Sequence, residues 1–138
     1  MIRQASLRAP MTEPGTSAGL DPIQEAIRLF NDRYFFEAHE VLEEVWRQEH
    51  GEPRLFLQGL IQVCAAYHHF QNGNLVGAIT LLQRGADKMR RYPPQYLGID
   101  AAGLIAHIDG DRGQVEAIER GEGQGASIDF PRIARDAS

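Results

Sequence analysis

Cysteine is almost missing from this chain. Cys64 stands alone, so no internal disulfide can form and the composition fits a reducing cytosol. Long apolar runs are missing as well. The most hydrophobic stretch, Leu55 to Tyr67, is interrupted by Gln58 and Gln62 and falls short of the about 20 residues that a bilayer span needs. No apolar h-region follows Met1, so a secretory leader is not expected. Arg3 and Arg8, with no acid before Glu13, do not write the amphipathic helix of a transit peptide. The default expectation is a soluble, cytoplasmic protein without a membrane partner. Positive charge is in deficit: 14 Lys+Arg against 19 Asp+Glu give a net charge of −5. That argues against a general nucleic-acid or acidic-membrane binder, while leaving room for a local basic patch. Neither a Walker lysine motif nor a nucleophile elbow is written anywhere.

What is present is enough for one globular domain: 138 residues, 43% hydrophobic and 24% charged, rule out wholesale disorder. Residues 1–20 carry Pro, Gly, Ser and Thr without a hydrophobic period and read as a flexible lead-in. Residues 121–138 open with three glycines in five positions and read as a Gly-rich tail. Ile128, Phe130 and Ile133 are placed to pin that tail back. The body, 21–120, has a 3.6-residue period throughout and no run that alternates with period two. Asp21-Pro22 is an N-cap followed by proline at the first helical position, and that helix should end near Asn31-Asp32. A second helix is expected from about Arg33 to Arg47, and a third from Pro53 to Gln71, stopped by Asn72-Gly73. A fourth should be capped by Asn74 and reach Arg91 before Pro93-Pro94. A short fifth starts at Asp100 and ends near Gly110, with a weak sixth around 114–120. Short loops between such helices imply antiparallel neighbours. The fold class is therefore all-α: a compact array of four to five antiparallel helices around a central hydrophobic one, with tetratricopeptide-like hairpins.

At about 100° per residue, the second helix places Phe35, Ala38, Leu42, Val45 and Trp46 on one face. Glu37, Glu40, Glu44 and Arg47 fall on the other. His39 and Glu43 lie between, four residues apart, so their side chains meet on the helix surface. The third helix is apolar nearly all round, which places it in the centre of the bundle or in an interface, and makes a homodimer compatible with the sequence. Gln58, Gln62 and His69 nonetheless line up on it within roughly 40° of one another. A polar stripe on a buried helix must find partners, and the natural ones are His39 and Glu43. Two imidazoles and a carboxylate can bind a divalent metal or act as an acid/base pair. Equally, a buried network can do no more than fix how two helices meet.

His39-Glu40-Val41-Leu42-Glu43 departs from the zinc-protease helix HExxH, because Glu43 replaces the second His and Glu40 points away. The glycines of 121–125 follow no strand, so a phosphate loop is not expected. Arg84, Lys88 and Arg91 form a stripe near the end of the fourth helix, where cations stabilise the dipole by themselves. Cys64 reads as inert packing.

Taken together, these residues resemble the bacterial and archaeal domain of unknown function family 309. Its HxxxEExW signature is matched at His39, Glu43, Glu44 and Trp46. Phe30-Asn31, Phe35-Phe36-Glu37-Ala38, Gln58-Gly59-Leu60-Ile61-Gln62 and His69 continue the likeness, as do Gly73-Asn74, Gly77-Ala78, Tyr92-Pro93 and Gly98-Ile99-Asp100. The resemblance covers roughly 25–108. It implies an all-α helical array and no particular activity, and it carries over only the four signature positions. Glu44 lies off the His39/Glu43 edge, in reach of Arg47.

Two readings of function remain open. In one, a pocket between the second and third helices binds a divalent metal or a small ligand. His39, Glu43 and His69 then serve as metal ligands or catalytic groups, Gln62, Gln58, Trp46 and Glu44 line the ligand, and metal-assisted hydrolysis is the accompanying chemistry. In the other, the chain is a non-enzymatic interaction module for a protein partner, and the cluster only locks the packing. Nucleic acid, through Arg84, Lys88 and Arg91, is the least favoured partner.

Overall fold

The computed structural model describes residues 21–122 and 127–136; the lead-in expected for 1–20 and the glycines at 123 and 125 lie outside the described residues. Helix α1 spans Pro22–Asn31, with the Asp21 carboxylate accepting from the Ile23 amide at 3.0 Å. Ala26, Ile27 and Phe30 bury its inner face. The chain turns through Arg33, whose positive φ of 69° stops the helix, and enters α2, Phe35–Gln48. Phe35, Ala38 and Leu42 are buried on the face the periodicity assigns, while Glu37, Glu40, Glu44 and Arg47 are exposed. Helix α3 runs Pro53–Gln71 and ends where expected, at Asn72 and a left-handed Gly73. The Asn74 side chain then caps α4, Leu75–Met89, by accepting from the Gly77 amide at 3.0 Å.

Three details differ from the sequence reading. Helix α4 stops at Met89 rather than Arg91. A two-residue ladder follows, β1 (Gln95–Tyr96) antiparallel to β2 (Ile99–Asp100), too short to leave a period-two signature. Its turn places Leu97 and Gly98 at positive φ, the geometry of a tight hairpin. Finally, the expected fifth and sixth helices are one continuous α5, Ala101–Glu119, capped by Asp100 on the Gly103 amide. Gly110 and Gly113 do not break it, because Leu104, Ile108 and Val115 keep one buried stripe running past them. A glycine costs about 1 kcal/mol in a helix interior, less than that packing returns.

Helix α3 is the hub. Phe56, Leu57, Leu60, Val63, Cys64, Ala66 and Tyr67 are all buried, against α2 on one flank and α4 on the other. The ring contact Phe35–Tyr67 at 5.3 Å and the Arg54 guanidinium 3.8 Å over the Trp46 ring set α2 antiparallel to α3. On the α4 side two glycines meet. A Cβ on Gly85 would lie 2.7 Å from both the Gly59 carbonyl oxygen and a Val63 methyl, and one on Gly59 would lie 2.9 Å from the Gly85 carbonyl oxygen. Burial pushes the Cys64 thiol well above its ordinary range, in keeping with inert packing. Residues 127–136 return to the body, burying Ile128 and Ile133. No helix among the described residues is long and apolar enough to cross a membrane.

Gly85 of α4 and Gly110 of α5 should therefore respond to alanine in opposite directions. Gly85→Ala is expected to destabilise the fold by about 1–3 kcal/mol through overpacking against backbone. Gly110→Ala meets no described atom within 4 Å and should stabilise by about 0.5–1 kcal/mol. Urea unfolding midpoints of the two variants check both signs.

Candidate functional site

The antiparallel register of α2 and α3 places the sequence-predicted residues at definite heights. Trp46 stands level with Arg54 and Phe35 with Tyr67. Counting inward from these two contacts, His39 comes level with Gln62, and Glu43 with Gln58. That count gives only their heights along the helices; the Glu43 carboxylate itself pairs with Arg47 at the surface. Three buried polar atoms on these two helices have no hydrogen-bond partner: His39 Nδ1, Gln62 Oε1 and Trp46 Nε1. Buried polar groups are nearly always paired; three of the four unpaired ones among the described residues fall on α2 and α3, and the fourth, Arg112 Nε, lies on α5.

His69 does not join them. Its Nδ1 lies 3.2 Å from the Asn74 side-chain Nδ2, at the α3–α4 turn. The wheel gives it the right azimuth, but seven residues at 1.5 Å per residue lift it about 10 Å along the axis from Gln62, past the start of α2. The imidazole that does reach the His39 edge is the neighbouring His68, whose ring lies 5.2 Å from Phe36. Phe36 in turn stacks on His39 at 6.0 Å. Among the described residues, no three or more His, Cys, Asp or Glu side chains are grouped so as to hold a metal ion. His39, Glu43 and His69 are not assembled into such a set.

The two signature glutamates face outward to a common partner. Arg47 is paired with Glu44 at 2.8 Å and with Glu43 at 3.4 Å, so Glu44 takes the surface pairing that its wheel position suggests. Exposed pairs of this kind contribute about 0.3–0.5 kcal/mol. Trp46 is held between functions. Its ring lies under Arg54, whose Nη1 donates to the carbonyls of Trp46 and Glu49 at 2.8 Å each and so closes the C-terminus of α2.

A second polar group escaped the sequence reading. Asp111 is only 3% exposed and accepts from the Tyr67 hydroxyl at 2.6 Å. His107 Nε2 lies 3.4 Å from the same carboxylate oxygen and donates to the Asp129 carbonyl at 2.5 Å. The signal was available: Asp111 occupies the apolar register of Leu104, Ile108 and Val115. Burial drives its carboxyl above the ordinary 3.8, partly offset by the Tyr67 hydrogen bond and the nearby His107. The same burial, with the neighbouring carboxylate, pushes the Tyr67 phenol up. Here every polar atom that matters is paired, which makes the Tyr67–Asp111 contact a packing device.

Two kinds of similarity bear on the site. Residues 23–81 match the family model described as Domain of unknown function (DUF309). The chain is 29% identical over 96 residues to an uncharacterized protein of Aquifex aeolicus (strain VF5), an alignment that covers 69% of this chain and 29% of that one. It is 32% identical over 92 residues to the uncharacterized protein YpuF of Bacillus subtilis (strain 168), covering 62% of this chain and 51% of that one. The matched region thus spans about half the length of the second relative and less than a third of the first.

The raised Asp111 carboxyl has a definite consequence for stability. Between the unfolded value near 3.8 and its higher folded value, the native chain holds a proton that the unfolded chain has lost. Its contribution to stability therefore falls as pH rises through that window. Asp109, held below its ordinary value by Arg90, acts only at lower pH. Thermal melts from pH 4 to 7 should show this fall, and Asp111→Asn should flatten it.

Proposed function

This chain belongs to the DUF309 family through its residues 23–81, and we propose from that premise that its α2–α3 seam binds a small polar molecule without a metal ion. The observation that carries the reading is the set of orphaned atoms, all within the family region: His39 Nδ1, Gln62 Oε1 and Trp46 Nε1. Each costs about 1–3 kcal/mol when buried unpaired. A fold that keeps three of them on one seam gains something other than stability.

The three atoms define what would satisfy them. Gln62 Oε1 needs a donor, the Trp46 indole N–H needs an acceptor, and His39 Nδ1 takes either according to its tautomer. His39 and Trp46 are seven residues apart on α2, about 10 Å along the helix, with Gln58 of α3 level between them and Glu43 turned outward to Arg47. A ligand engaging all three atoms is elongated and carries both hydrogen-bond donors and acceptors. Metal-assisted hydrolysis through His39, Glu43 and His69 has no comparable support, since those three side chains form no ligand set. Cytoplasmic residence belongs to the same reading, resting on a single buried free thiol.

A second reading, the interaction module, draws on a different place. Tyr34 and Phe36 are 56% and 45% exposed and flank a groove of about 440 Å³ with His68 and Gln71. Exposed aromatics beside a groove are common at contact surfaces.

Gln62→Met separates the seam's two roles, because it removes the orphan while keeping the shape. A site held open for a ligand should gain about 1–3 kcal/mol in the ligand-free melt; a drop of similar size would identify a satisfied packing network instead. Elemental analysis of tag-free protein bears on the same point. Stoichiometric zinc, manganese or iron that disappears in His39→Ala would overturn the metal-free site.

A further inference from the structure

Residues 127–136 have no helix or strand of their own, yet they are gripped along their length. The Phe130 ring is wedged against Phe35, Tyr67 and Phe70 at 5.3, 5.6 and 5.9 Å, with the Arg33 guanidinium 5.0 Å over it. Ile128, two residues before, and Ile133, three after, are buried. Asn31 reads the backbone of Ile133 twice: its Nδ2 donates to the carbonyl at 3.0 Å, and its Oδ1 accepts from the amide at 2.7 Å. Further on, the segment adds to the edge of the β1–β2 ladder. Ile99 bridges Arg135 in antiparallel sense, and the Asp136 amide donates to the Gly98 carbonyl at 2.6 Å. Arg135 closes the grip on the Asp21 carboxylate at 2.5 Å and the Leu97 carbonyl at 2.9 Å.

An aromatic pocket, a side-chain amide clamping one peptide unit and strand addition at a sheet edge are the devices by which folded domains bind extended peptides. Every receiving group sits on α1, α2, α3, α5, the ladder or the turn that joins α1 to α2, so the groove is complete without the segment. The helices hold one another by continuous apolar faces, whereas this segment reaches the same core at three separate points, Ile128, Phe130 and Ile133. Between α5 and the segment, the sequence places glycines at 121, 123 and 125.

We propose that this groove is a peptide-docking site, occupied here by the chain's own residues 127–136 and exchangeable for a partner segment of the same chemistry. That chemistry is an aromatic residue followed by proline, an aliphatic residue two positions before the aromatic and three after it, and an arginine five after it. The tethered copy competes at the high effective concentration of a short linker, so a partner must match these anchors closely or arrive when the resident segment is weakened. The site shares Phe35 and Tyr67 with the α2–α3 seam but uses none of the seam's unpaired polar atoms, so it stands whether or not those atoms bind a ligand.

The probe is a fluorescent peptide with the sequence of residues 127–136, titrated against the full-length chain. Phe130→Ala with Ile133→Ala should free the groove and bind the peptide saturably, at least tenfold more tightly than the parent chain does. Adding Asn31→Ala should weaken that binding about tenfold. A helical, cooperatively melting variant that binds no peptide, or one that binds no better than the parent, overturns the proposal. Amide exchange of the unaltered protein gives an answer even if the variant fails to fold. The Ile133 amide should exchange markedly faster than those of α3, through opening of the segment alone. Exchange at the α3 rate would mean that the segment leaves only on global unfolding, and the groove is then no docking site.

Discussion

Helix α3 carries apolar side chains around nearly its whole circumference, and water must be kept from all of them. That requirement decides where the other elements go. Helix α2 covers one flank through Phe35, Ala38 and Leu42, and α4 covers another at the Gly59–Gly85 approach. Toward its C-terminal end, Tyr67 is enclosed by Phe30, Phe35 and Phe130. The returning segment 127–136 is thus part of the same enclosure, and Asp111 is buried because it must meet the hydroxyl at the end of the Tyr67 ring.

Polar groups on these buried faces are handled in two contrasting ways. At Tyr67 and Asp111 the donor and acceptor are matched, and the raised carboxyl is the remaining electrostatic cost of enclosing them. At the α2–α3 seam, His39, Gln62 and Trp46 each leave an atom unmatched. Fully paired networks specify a fold; unpaired ones cost stability and persist where something else uses them. The family signature divides along the same line. His39 and Trp46 each turn a polar atom inward, while Glu43 and Glu44 turn outward to Arg47.

Much of the helix layout was legible because its causes are local. Asp21-Pro22, Asn72-Gly73 and Asn74 start and stop helices through their own side chains and backbone. The inward and outward faces of α2 follow from 100° per residue alone. What escaped has a non-local cause. Helix α5 runs through Gly110 and Gly113 because of what packs against its other face. The short ladder is stabilised by its hairpin turn and by residues 134–136. Asp111 could be seen as a charge in an apolar register, but its partner Tyr67 lies 44 residues away in sequence.

His68 and His69 put the distinction most sharply. The sequence by itself determined the azimuth of every residue on its helix, and with it the polar stripe of Gln58, Gln62 and His69 on an otherwise apolar α3. Only the tertiary structure decided height. The register of α2 against α3, set by Phe35 on Tyr67 and Arg54 on Trp46, brings His39 level with Gln62 and carries His69 beyond reach. Rotation about a helix axis is fixed by the helix's own backbone geometry, whereas displacement along it is fixed only by the packing of one helix on another.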